Sequence, residues 1–340
     1  MARVERVLVT GGGGFLGSHV VRALLAAGLA VRSFSRGHYP ELVAAGVDAA
    51  QGDLADPRAV TDAAAGCDAV IHTAALAGIW GAANDYEQAN VVGTENVLAA
   101  CRTHGIEAMV YTSSPSVVFA GVDQENIDES APYPSRFLGH YPRTKAAAEQ
   151  RVLAANGPRL ATVALRPHLI WGPRDSHLVP SVVARARSGA LRLIHPEKRV
   201  DCCYVDNAAA AHLLALDRLA VGSAIAGRAF FISQGEPIAI GEFVNRILAA
   251  AGLPPVARTI PAGVAYAVGA VLETAYGLLR IQREPRMTRF LARQLATAHW
   301  FDLTAAYRDL GYVPRVSIDE GMRRLREWFM RSHPVGREAP

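Results

Sequence analysis

The stretch VTGGGGFLGSH, residues 9–19, constrains this chain more than any other. It comes after an apolar run, RVLVTG (6–11), and opens a helical pattern from about Leu16 to Ala27. Gly11, Gly14 and Gly17 recur within it at a spacing of three. A strand that turns through glycines straight into a helix gathers free backbone N–H groups at the positive end of the helix dipole, which suits a diphosphate. A plain packing turn could carry the same letters. The strand–turn–helix setting gives the pattern its weight.

The first half of the chain repeats this alternation. Strand-like segments are expected at AVRSFSR (30–36), VDAAQGDL (47–54), AVIHTAA (69–75), AMVYTSS (108–114) and ATVALRPHLIW (161–171). Helical patterns separate them, notably from Tyr86 to His104. Val-, Ile- and Ala-rich strands fed by helices predict an α/β fold, a doubly wound parallel sheet of the Rossmann kind covered on both faces. After Pro173 the pattern loosens into recurrent helices with one further strand, AFFISQG (229–235). The expected organisation is a dinucleotide-binding domain over 1–173, completed by segments near 200–235, and a smaller, mostly helical substrate-binding cap within 174–330.

Bulk properties narrow the partners. Hydrophobic residues make up 51% of 340, enough for a sizeable core. The net charge of +4 is spread along the chain, with MRRLREWFMR as the one dense stretch. No nucleic-acid role is called for, and an anionic small molecule suits the balance better. Cys67, Cys101, Cys202 and Cys203 form no CxxC pair, and the histidines show no HExxH spacing, so neither a disulfide framework nor a metal site is expected. Arg3, Arg6 and the apolar run mimic an export signal. GGGG and Arg22 interrupt it, so a cytoplasmic chain is expected.

The cofactor can be read further. The second strand ends in Ser35 and Arg36, with no acid before Glu41. An acidic residue there would take ribose hydroxyls, whereas Arg36 suits a ribose phosphate. This favours NADP(H) and leaves NAD(H) open; Arg36 equally suits a solvated surface. Asp53, in GDLAD, is placed for an adenine amino group or for a plain turn. Phe15 and Leu16 beside the glycines, and Leu54 and Ala74 at strand ends, are also expected at the cofactor.

The chemistry is carried by HYPRTKAAAEQ (140–150). Tyr141 and Lys145 are one helical turn apart and face the same way, with Pro142 tolerated in the first turn. A tyrosine titrating near ~10 is a poor acid at neutral pH, and a nearby ammonium would lower that value. Such a tyrosine could exchange a proton with a substrate oxygen. A second donor would polarise that oxygen. YTSSPSV offers Ser113, Ser114 and Ser116 at a strand end, where ligands sit in this fold.

Together, VTGGGGFLG, GDLAD, HTAA, NVVGTENVL, YTSSPSVV, YPRTK, LRPHLIWGP and VDCCYVDNAA resemble the extended short-chain dehydrogenases/reductases over nearly the whole chain. The resemblance implies Tyr141 as proton donor, Lys145 as its partner and Ser114 as third member. It also implies that Asn90 braces the central strands near the cofactor and that Pro167 lines the nicotinamide. Within the family the chain is most similar to the 3β-hydroxysteroid dehydrogenase-like branch. SRGHYPEL, GIWG and TRFLARQLATAHW resemble its bacterial reductases of 2-alkyl-3-oxo acids in long-chain olefin biosynthesis. A homodimer, and association with a membrane surface or with pathway enzymes, fit that resemblance.

A long-chain keto acid needs a greasy cleft and a cation for its carboxylate. Trp80 is a candidate wall of that cleft or a packed loop anchor; Arg174, Lys198 and Arg199 are candidate cations, although HPEKRVD equally suits a solvated turn. AGVAYAVGAVLETAYGLL (262–279) could be a lid over acyl chains, a helix leaning on a membrane, or a core helix of the cap. Competing functions are a 3β-hydroxysteroid or 4-carboxysterol dehydrogenase, a nucleotide-sugar epimerase, and a non-catalytic NADP(H)-binding redox sensor.

Overall fold

A computed structural model describes residues 4–332; Arg3 lies outside them. Seven strands form the central sheet: β1 (Arg6–Thr10), β2 (Ala30–Ser35), β3 (Asp48–Gln51), β4 (Ala69–His72), β5 (Ala108–Thr112), β6 (Ala161–Pro167) and β7 (Arg228–Ile232). All neighbours run parallel, in the order β7-β6-β5-β4-β1-β2-β3. The order reverses between β1 and β4, and in such sheets the ligand crevice lies outside the strand ends at that point. The central strands are apolar without alternation because helices cover both faces; every residue of β4, β5 and β6 is buried.

Four helices position the site: α1 (Phe15–Ala26), α2 (Gly93–His104), α3 (His140–Ala154) and α4 (Val205–Arg218). One core packs α1 and α4 against one face through Val20, Leu24, Ala211 and Leu216. The other packs α2 and α3 through Val97, Leu98, Ala148 and Val152. Both β7 and α4 come from beyond residue 173, so the chain returns to the sheet after entering the cap.

The cap has its own core, joining Trp171, Val183, Phe243, Ile247 and Leu325. A small four-stranded sheet ties it to the rest, pairing His299–Phe301 with Gln124–Ile127. Two further helices, α5 (Ala262–Leu278) and α6 (Arg289–Ala296), lie beside it. The apolar stretch 262–279 is not a core helix: only Ala265 and Gly269 of α5 are buried.

Candidate active site

The glycine turn is built by close approach. Gly11 has φ 72°, and a Cβ there would sit 2.9 Å from the Ala74 backbone. A Cβ on Gly17 would collide with the Gly11 carbonyl. The Gly14 N–H donates to Gly11 O at 2.9 Å, and α1 then starts with no side-chain cap and no acid in its first turn. Bare N–H groups and an uncompensated dipole end thus face the cavity, which fits the diphosphate of a dinucleotide.

The cavity beside this turn measures about 710 Å³. It runs from the adenosine end to the catalytic end expected from the sequence. Gly11, Gly14, Phe15, Leu16 and Gly17 line its floor. Arg36, Asp53 and Leu54 line one end, where Arg36 is exposed. Ala74, Ser114, Tyr141, Lys145 and Pro167 line the other. Asp53 Oδ1 also accepts from the Ala55 N–H at 2.9 Å, so the carboxylate serves its own turn as well as facing the cavity.

Tyr39 is a cavity residue that its sequence position does not announce. A Cβ on Gly13 would collide with its ring, and the ring also lines the cavity next to Arg36. The Gly13 N–H donates to Ser35 Oγ at 3.3 Å. The HYPEL stretch thus folds over the glycine run and requires a residue without a side chain at position 13. The signal is present in the unusual GGGG, but only the fold shows what covers it.

At the other end, α3 presents Tyr141 and Lys145 on one face, as their spacing predicts. Tyr141 is half-buried and Lys145 fully so. Burial raises the Tyr141 phenol, and a hydrogen bond with Ser114 pulls it back down. The lysine does not act on the phenol here. Its Nζ donates to Thr112 O at 2.6 Å and lies 4.2 Å from the centre of the Tyr111 ring. Burial depresses the Lys145 amine to about 7, with Glu149 opposing. The lowering of Tyr141 expected from Lys145 is not seen: on balance burial leaves the phenol raised, with the Ser114 hydrogen bond offsetting part of that.

Among the three serines, geometry selects. Ser114 meets Tyr141 and accepts from Ser116 N and Oγ at 3.2 and 3.0 Å, which leaves its own proton to donate, here towards the Tyr141 oxygen. Ser113 Oγ is buried without a partner, while its N–H donates to Leu165 O at 2.6 Å.

Three expected site residues stand behind or beside the cavity lining. Asn90 is buried in a π-helical turn, Glu87–Val92. Its side chain accepts from Leu76 N at 2.7 Å and donates to Leu76 O at 3.1 Å and Thr144 Oγ1 at 3.0 Å. It braces the cavity wall against α3 but does not line the cavity. Trp80 donates to Ile281 O at 3.0 Å and meets Tyr276 edge-on, so it anchors its loop on α5 instead of walling the cleft. Arg174 does not line the cavity and acts on Arg22 instead; burial first, and Arg174 second, lower the Arg22 guanidinium. The neighbouring Asp175 and His177 line the cavity in its place.

Comparison with known proteins agrees with this geometry. A 2-alkyl-3-oxoalkanoate reductase of Stenotrophomonas maltophilia is 55% identical, covering 94% of this chain and 98% of that protein. One from Shewanella oneidensis is 52% identical, covering 96% and 86%. The structure of Thermus thermophilus UDP-glucose 4-epimerase in complex with NAD superposes with a TM-score of 0.73 at 27% identity, covering 95% of this chain and 98% of that one. Residues 8–261 match the 3-beta hydroxysteroid dehydrogenase/isomerase family. The chain is an oxidoreductase with a dinucleotide-binding fold, and it belongs to that family.

Proposed function

We propose that this enzyme reduces 2-alkyl-3-oxoalkanoic acids to the 2-alkyl-3-hydroxy acids with NADPH, reversibly, in long-chain olefin biosynthesis. The observation that carries the chemistry is the convergence of Ser114, Tyr141 and Lys145 on the cavity that begins at the glycine turn. The likeness to the two bacterial reductases carries the substrate class. Arg36, exposed at the adenosine end, supports the 2′-phosphorylated cofactor.

Bound NADPH would supply the hydride that the ketone carbon accepts. Ser114 Oγ donates to the ketone oxygen and polarises the carbonyl. Tyr141 delivers its phenolic proton to that oxygen as negative charge develops on it. A phenol raised by burial stays protonated at neutral pH, which suits a proton donor in the reducing direction. Lys145, which donates to Thr112 O, would favour the forming phenolate whenever its amine carries a proton. Ketone, hydride and one proton make the carbinol, so the proton lost from Tyr141 must be restored from solvent.

The test is cofactor oxidation with long-chain 2-alkyl-3-oxo acids, sterol ketones and nucleotide sugars, each with NADPH and NADH. The expected result is turnover of the keto acids with a preference for NADPH. Turnover confined to sterols or sugars overturns the substrate, and a preference for NADH overturns the role of Arg36.

A further inference from the structure

The helix α5 has two unlike faces. Ala265 and Gly269 are buried, and a Cβ on Gly269 would lie 2.6 Å from the Thr288 carbonyl carbon, so this side rests on the start of α6. Glu273 fixes the contact, accepting from the Arg289 backbone N–H at 2.7 Å and from its Nε at 2.5 Å. The opposite side faces solvent. Val264, Val268, Val271 and Leu278 are 49, 43, 68 and 80% exposed, and Leu279 is 71% exposed. Positions 264, 268, 271 and 278 fall on one helical stripe, roughly 20 Å long at 1.5 Å per residue, and no charge interrupts it. An apolar strip of this kind marks an interaction site.

The residues just beyond the stripe identify its partner. Arg280, Arg283 and Arg286 are exposed and, among the described residues, have no ion-pair or hydrogen-bond partner for their side chains. Aliphatic side chains bordered by unpaired guanidinium groups match the boundary between acyl chains and anionic headgroups. No helix among the described residues is long and apolar enough to cross a membrane, so such contact would be lateral. We propose that this face of α5 docks the protein onto an anionic lipid bilayer.

The helix is also joined to the cavity. Trp80 holds Ile281 O just past its end, and Tyr86 Oη donates to Trp80 O at 3.1 Å. Leu76 and Ala77, earlier in the same loop, wall the cavity. A docked α5 therefore brings the cavity wall near the lipid. Delivery of an acyl substrate from the bilayer rests on the long-chain reading above, whereas docking itself does not.

Flotation with vesicles of phosphatidylcholine alone, or of phosphatidylcholine mixed with phosphatidylglycerol, tests the proposal. The protein should float with the mixed vesicles and be released by high salt. Joint replacement Val268→Asp, Val271→Asp and Leu278→Asp should weaken vesicle binding by on the order of tenfold or more. Joint Arg280→Glu, Arg283→Glu and Arg286→Glu should abolish the preference for anionic vesicles. The circular dichroism of both variants, and their turnover of a short, water-soluble 3-oxo acid, should match the parent. Failure of the parent to float, or undiminished flotation of the aspartate variant, overturns the proposal. So does a parent that ignores vesicles but whose mass by light scattering falls on aspartate replacement, since the stripe would then meet a second copy. Flotation without any keto-acid turnover would sink the substrate reading and leave docking standing.

Discussion

Two helices of similar length, α3 with 15 residues and α5 with 17, invert the usual relation between composition and burial. The sequence of α3 is polar, yet Thr144, Lys145 and Glu149 are buried. The sequence of α5 is nearly all apolar, yet four of its aliphatic side chains are 43–80% exposed. Each polar group buried in α3 has a partner. Lys145 has the Thr112 carbonyl, Thr144 the amide of Asn90, and Glu149 both Arg166, at 2.6 and 3.0 Å, and Tyr133 Oη, at 2.6 Å. The apolar groups exposed on α5 have none within the molecule's own core. Buried polarity held by partners marks where chemistry is organised. Exposed apolarity without them marks where something else must come.

This contrast can be broken most directly at Tyr141. Tyr141→Phe keeps the ring and removes the proton, so turnover should fall by about 10²–10⁴-fold with cofactor binding retained, as measured by steady-state assay and by titration of intrinsic fluorescence with NADPH. Unchanged turnover would make α3 a structural helix like any other.

The next largest effect is on folding. Arg166 is 3% exposed and its Glu149 partner fully buried. Arg166→Met leaves that carboxylate uncompensated and should cost about 3–5 kcal/mol in urea unfolding. The same measurement on α5 should give the opposite result. Val271→Asp should move stability by no more than about 0.5 kcal/mol, since the side chain already faces water.

A third test uses pH. The amine of Lys145 falls to about 7 on burial, so between about 7 and its unfolded value of 10.5 the unfolded chain binds a proton the folded one lacks. Stability from this group must then rise with pH across that window. Lys145→Met removes the titration. Relative to the parent, its melting temperature should improve steadily as pH is lowered from 10 to 7, while turnover is lost. A pH-independent difference would mean the amine is not depressed.

The smallest effect concerns the turn at the cofactor. Gly13→Ala must push the Tyr39 ring aside, and NADPH affinity should fall several-fold with kcat little changed. No change in KM would mean that the Tyr39 ring yields freely.

Much of this architecture is legible in the letters. The positive φ of Gly11 and the close approach of Gly17 to the Gly11 carbonyl are local requirements, and so is the one-turn spacing of Tyr141 and Lys145; each shows as a residue type at a fixed interval. The sheet is legible because strands covered on both faces must be apolar throughout. For Trp80, Arg174 and Asn90 the letters name a residue type but not its partner, because Ile281, Arg22 and Thr144 lie far away in sequence.

The sequence alone determined the chain's class of fold and the one-turn placement of Tyr141 and Lys145, because both rest on periodicities of a few residues that backbone geometry enforces. Only the tertiary structure decided which serine meets the phenol, that a carbonyl captures the lysine, that Tyr39 covers the glycine run, and that α5 turns its aliphatic stripe outward. Those outcomes depend on which distant segments pack together, and packing is settled by the balance of the whole fold.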